Sequence, residues 1–332
     1  MTGGMFDEFA NVEVREEKET PKSDLDLILD AETEIIKQCE NDERIKQYGG
    51  SEHEAYQSLY KKTQEKVADI NITPKLLQEY IDTRNNPEKN MEAIIRGMYS
   101  AALLEIISTK TPETHTLIDG KGKKFNYLFY YIHNVKNLTL HNITGDDLLA
   151  NAGSNRGSAS HITLQNITGH NTLYNVGMNG SAIHITLHDI TGHYALSCAG
   201  SYDGSVEHIT LQNIKGNYTL TNASSNNGSA KNITLTNIIG HNTLANASSN
   251  KGSAKNITLT NITGVNTLKN TGWNGSIKNI LRENKLTGKQ KLILSQIETI
   301  VNTMHAHPFE EQKKMHDEIA RLQIKLFEGE RE

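Results

Sequence analysis

Six near-copies of one unit, each 23 or 24 residues long, fill residues 137–278. The units begin at Asn137, His161, His184, His208, Asn232 and Asn256, and a degenerate seventh begins at Asn279. Self-similarity at a fixed period marks a solenoid, in which each unit buries its apolar face only against its neighbours. Ile162, Leu164, Ile167 and Leu173 recur as Ile185, Leu187, Ile190 and Leu196, then as Ile209, Leu211, Ile214 and Leu220. Ile and Leu two apart, with Thr or His between and beside them, have the period of a half-buried strand. Breaks fall at Gly169, Gly192, Gly216 and Gly240, and again at the Gly-Ser pairs beginning at Gly180, Gly204 and Gly228. Glycine takes the positive φ that tight corners require. The pattern therefore predicts about three short strands and three corners per unit, one turn of a parallel β-solenoid.

Stacked turns place equivalent residues about 4.8 Å apart. Asn142, Asn166, Asn213, Asn237 and Asn261 share one column, with Asp189 as its exception. Asn151, Asn175, Asn222, Asn246 and Asn270 share another, interrupted by Cys198. A side-chain amide both donates and accepts, so these columns are expected to be hydrogen-bonded ladders. A leucine-rich repeat has a similar period but wants Asn three residues after a Leu, whereas Asn237 follows Leu235 by two. No six-residue sub-period of a hexapeptide helix is visible.

Repeat length, ladder types and the opening segment Leu117, Ile118, Asp119, Gly120, Lys121 and Gly122 resemble the right-handed parallel β-helix proteins of pectin-lyase-like architecture, over roughly residues 115–285. The resemblance implies a fold, not a function. The expected class is mainly β with α flanks: a parallel β-helix at residues 110–285, a helical region at 23–109, a helical cap at 286–332 and a disordered acidic tail at 1–22. Residues such as Ile94, Ile95, Met98, Ala102, Leu103 and Ile106 carry the helical spacing. Helical segments at both ends are expected to cover open strand edges that would otherwise aggregate.

The formal net charge is -5, and residues 137–264 hold five acidic and five basic side chains. No Lys/Arg stripe is present to displace counterions, so nucleic acid is not an expected partner. Lys231, Lys255 and Lys278 form only a short column, continued by Glu207. No apolar run has transmembrane length and the start of the chain is polar, so a soluble, cytoplasmic protein without membrane insertion is expected. Cys39 and Cys198 lie in different segments, which speaks against a disulfide framework. The Asn-x-Thr sites at Asn142, Asn166, Asn232, Asn256 and Asn261 arise from the repeat itself, and glycans there would prevent stacking.

Departures from the repeat concentrate in the middle coils. His161, His184 and His208 stand where other units carry Asn, and Tyr174, Tyr194, Tyr202 and Tyr218 fall in the same stretch. Imidazole can replace an amide as a planar group that donates and accepts. A straight row of imidazoles is poor tetrahedral geometry, so no metal or other cofactor is expected. Aromatic faces beside polar edges suit sugars, and His161, His184, His208, Tyr174, Tyr194 and Tyr218 are the candidate binding set.

An enzymatic alternative rests on Asp146, Asp147 and His170. Glycoside hydrolysis uses paired carboxylates, and the polygalacturonases among β-helix enzymes carry an Asp-Asp pair followed one coil later by Gly-His. Gly145, Asp146 and Asp147, with Gly169 and His170 one coil on, are similar. The Asn-Thr-Asp and Arg-x-Lys elements of those enzymes have no match, and Gly-His recurs at Gly192 and Gly240 as a repeat feature does. Outward Thr rows suggest an ice-binding face only weakly, because Thr234/Thr236 and Thr258/Thr260 alone form a double row. His305 and His307 read as a loop before Pro308. The expected function is a non-enzymatic binding or scaffolding module for a protein or glycan partner; the alternative is a divergent carbohydrate-active β-helix.

Overall fold

The computed structural model describes residues 21–40, 42, 52–84, 90–264 and 266–283, with isolated positions between 292 and 322. The repeats form a parallel β-solenoid of about seven turns. Its strands make one ten-stranded sheet: β1 (Thr116–Asp119), β2 (Asn134–Val135), β3 (Leu138–Thr144), β4 (Ser158–Ala159), β5 (Ile162–Thr168), β6 (Ser181–Thr191), β7 (Ser205–Lys215), β8 (Ser229–Ile239), β9 (Ser253–Thr263) and β10 (Ser276–Glu283). Register follows the repeat, with His184 beside His208, Ile185 beside Ile209 and Leu187 beside Leu211. Ile209 and Leu211 point into the core while Thr210 and Gln212 face outward, as period-two alternation requires, and Asn213 at φ 57° shifts the phase so that Ile214 also points inward.

The rest of each coil is not strand, which corrects the expectation of three short strands. In the second unit, Tyr174 N donates to Asn171 O at 3.1 Å, Val176 N to Leu173 O at 3.3 Å, Met178 N to Asn175 O at 3.0 Å and Gly180 N to Gly177 O at 3.1 Å. The third residues of these overlapping turns, Leu173, Asn175, Gly177 and Asn179, have φ of 54, 59, 64 and 52°. Positive φ at that place is the mark of a type II turn. The free amides bond to adjoining coils: Leu173 N to Leu148 O and Gly177 N to Ala152 O on one side, Asn175 N to Ser197 O on the other, all at 2.9 Å. From β6 to β9 each coil is thus one long strand plus a ribbon of turns, hydrogen-bonded to the coils on both sides.

Sequence explains the ribbon once left-handed positions are sought at every second residue. Asn tolerates that conformation, and no Val, Ile or Thr occurs among the described non-glycine residues with positive φ. The exceptions with a large apolar chain include Leu149, Leu173, Leu196, Leu220, Leu244 and Phe129, all fully buried, and Leu268, 8 % exposed. Burying a leucine contributes about 1.5–3 kcal/mol, enough to offset a left-handed cost of about 1–2 kcal/mol. The corner between strand and ribbon is set by close approach: a Cβ on Gly169 would lie 1.7 Å from Gly145 O, and one on Gly216 1.8 Å from Gly192 O.

Among the described residues four helices precede the solenoid: α1 (Asp24–Cys39), α2 (Glu52–Lys66), α3 (Pro74–Thr83) and α4 (Met91–Lys110). Their side chains substitute for a missing coil. Gln78 of α3 donates to Asp119 O at 3.0 Å and accepts from Asp119 N at 2.8 Å, as a neighbouring strand would. Buried Glu105 of α4 accepts from His133 N at 3.1 Å, Asn134 Nδ2 at 3.0 Å and Tyr56 Oη at 2.6 Å. Ser100 Oγ accepts from Phe129 N at 3.1 Å. Gly97 allows contact with the first coil, since a Cβ there would meet Tyr127 O at 2.2 Å. The acidic tail, apart from residues 21 and 22, lies outside the described residues, as do most of 286–332 and both His305 and His307.

Candidate ligand-binding cleft

The asparagine columns are ladders. Asn166 Nδ2 donates to Asn142 Oδ1 at 2.7 Å, Asn237 to Asn213 at 2.9 Å and Asn261 to Asn237 at 3.0 Å. Asp189 accepts from Asn213 Nδ2 at 2.9 Å, and its second oxygen meets His188 Nδ1 at 2.6 Å. His161, His184 and His208 continue a ladder of the same kind. Their rings stack with centroids 4.8 and 4.6 Å apart, and His208 Nδ1 accepts from Asn232 Nδ2 at 3.0 Å. Asn256 and Asn279 extend the column at 2.7 and 2.8 Å. Burial, then the neighbouring His208 and His161, hold the His184 imidazole below its usual pKa, with Glu207 opposing.

Asp146 and His170 belong to a second kind of ladder, in which a side chain accepts the backbone N–H of its equivalent one coil on. Asn126 Oδ1 accepts from Asp146 N at 2.9 Å, Asp146 Oδ1 from His170 N at 2.6 Å, His170 Nδ1 from His193 N at 3.0 Å and His193 Nδ1 from Asn217 N at 3.0 Å. Asn217 Oδ1 then accepts from His241 N at 2.9 Å. The Gly-His recurrence is the sequence trace of this column. Asp147 Oδ1 accepts from Asn171 Nδ2 at 2.9 Å. The neighbouring Asp146 and Asp147 therefore serve separate ladders. Asp146, His170 and His193 line a groove of about 440 Å³ at the glycine corner, with Lys124 and Lys215.

The tyrosines lie elsewhere. His184 and His208 sit in β6 and β7, whereas Tyr174, Tyr194 and Tyr218 sit in the turn ribbon, so one groove does not combine the two sets. Tyr194 and Tyr218 stack at 4.7 Å and 5°; Tyr174 occupies a different column. Tyr174 and Tyr194 meet instead at a cleft of about 620 Å³, with Tyr130, Tyr131, Met178, Glu52 and Asp147. Tyr130 and Tyr131 are buried, their rings edge-on at 5.1 Å, while Tyr194 is 39 % exposed. Amide groups of Asn151, Asn155, Asn171 and Asn175 complete the lining. Tyr131 Oη donates to Glu52 Oε2 at 3.0 Å. Burial raises the Glu52 pKa and, ahead of contributions from Cys198, Tyr202 and Tyr194, pushes the Tyr174 phenol up to about 12.

Sequence reasoning missed Glu52, Tyr130 and Tyr131. The run Tyr127, Phe129, Tyr130 and Tyr131, where later coils carry mostly Asn, Leu, Ala and Thr, was the available signal for the tyrosines. Glu52 comes from α2 and had none. Among the described residues no group of three His, Cys, Asp or Glu converges to hold a metal, and no helix is long and apolar enough to cross a membrane. No protein-family model, curated protein or solved structure matches the chain.

Proposed function

We propose that this protein is a non-enzymatic, rigid binding module that takes a glycan in the tyrosine-lined cleft. The observation that carries the reading is the convergence of Tyr130, Tyr131, Tyr174 and Tyr194 with four asparagines around about 620 Å³. Clefts of roughly 300–1,000 Å³ accept small ligands, and aromatic faces pack on sugar CH groups while amides bond hydroxyls. A ladder-built wall is preorganised, so little ordering entropy is lost on binding. Asp146 and Asp147 carry the ladder hydrogen bonds expected of Asn or His, which speaks for a structural use of both carboxylates.

A glycan array probed with the intact chain, with bound oligosaccharides analysed for cleavage, tests this. Expected are retention without cleavage, loss on Tyr194→Ala, and no effect of replacing His161, His184 and His208 together by Asn. Cleavage abolished by Asp146→Asn with Asp147→Asn would establish the enzymatic alternative instead. Retention that survives Tyr174→Ala and Tyr194→Ala, or no retention at all, overturns the reading.

A further inference from the structure

The cleft has a charge pattern that the chain as a whole does not. Among the described residues its lining includes two acidic side chains, Glu52 and Asp147, four tyrosines and no lysine or arginine. Glu52 is only 8 % exposed. Its Oε2 accepts the Tyr131 hydroxyl, and among the described residues no cation pairs with it. Burial is unfavourable for a carboxylate. A cationic ligand group removes that penalty, and tyrosine faces attract the same group through the ring quadrupole.

We propose that the cleft selects glycans bearing free amino groups, a statement that rests on the glycan-binding reading above. The ammonium of an amino sugar meets the Glu52 and Asp147 carboxylates, and the pyranose ring lies against Tyr174 and Tyr194. An N-acetylated sugar loses the charge and adds bulk, and a neutral sugar offers only the stacking. Because both carboxylates also accept a hydrogen bond, amide replacements preserve the scaffold. Gln at 52 still accepts from Tyr131. Asn at 147 is the residue the repeat itself carries at Asn171, Asn242 and Asn266.

The test is calorimetric titration of the full chain with a glucosamine tetramer, its fully N-acetylated counterpart and a neutral glucose tetramer of the same linkage. The free-amine tetramer is expected to bind at least about tenfold tighter than either, given one desolvated cation–π contact and its paired charges. Glu52→Gln and Asp147→Asn, each checked for an unchanged circular dichroism spectrum, should each reduce that preference. Added salt should shrink it as well. Equal affinity for the three tetramers overturns the charge selection and leaves the glycan reading standing. Binding of none of them, with array retention of other glycans, overturns the charge selection alone; no glycan binding anywhere overturns both. Preference for a trimethyl-lysine peptide over the glucosamine tetramer overturns it in favour of a protein partner.

Discussion

Gly216→Ala tests whether the corner between strand and turn ribbon sets the coil spacing. The added methyl would lie 1.8 Å from Gly192 O, 2.6 Å from Gly192 C and 3.3 Å from His193 N. All three are backbone atoms, so no side chain can swing away and the coils must separate locally. Separation strains the neighbouring inter-coil bonds, Gly192 N to Lys215 O and Gly216 N to Ile239 O, both 2.9 Å. Two lost hydrogen bonds at about 1 kcal/mol each, with about 1–3 kcal/mol of overpacking, give about 3–5 kcal/mol. Gly122→Ala is the reference: its φ is +76° and nothing lies within 4 Å of the new methyl, so only a left-handed cost of about 1 kcal/mol applies. Urea unfolding followed by circular dichroism and by the fluorescence of Trp273, the single tryptophan, measures both. Nearest-neighbour coupling between coils should also lower cooperativity in Gly216→Ala. Equal destabilisation of the two variants would refute the close-approach argument.

Asn237→Ala should cost about 3 kcal/mol, because it breaks bonds to Asn213 and Asn261 and leaves Ala at φ 55°. Asn237→Gly should cost less, and the difference between the two urea midpoints separates backbone strain from the ladder. Stability should fall on acidification: the folded His184 pKa lies below its unfolded value near 6.5, so its contribution is full above that value and lost as pH drops through the folded one. The groups beside it are His161, His208 and Glu207, the last paired with Lys231 at 2.6 Å, and replacing the three histidines by Asn should flatten the urea midpoint between about pH 7.5 and 5. Glu105→Ala strands three donors, two in the first coil and the Tyr56 hydroxyl on α2, and should destabilise by at least about 3 kcal/mol, with concentration-dependent association on a sizing column as the strand edge opens.

The strand half of each coil was legible because Ile and Leu at period two have one physical explanation, and the Asn columns because only stacking makes a polar residue repeat at fixed spacing. The ribbon was not, since Asn and Gly at every second position signal a turn without saying that turns overlap without a strand between them. Leu173 illustrates the difficulty: its apolar side chain reads as extended core, yet it sits at φ 54°. At the site, the recurrence of Gly-His was legible as a feature of the repeat, but grouping Tyr with His required knowing which half of the coil each occupies. Tyr174 and Tyr194 were found by composition; their partners Tyr130, Tyr131 and Glu52 lie in the first coil and a helix, outside the repeat that drew the eye.

The crystal structure of the intact chain with the oligosaccharide it retains best on the array is the most direct measurement of the central claim. Expected is a sugar ring seated against Tyr174 and Tyr194, beside Tyr130 and Tyr131, with the solenoid unchanged around it. A sugar bound on the sheet face along His161, His184 and His208, or at the Asp146 and His170 groove, would contradict it.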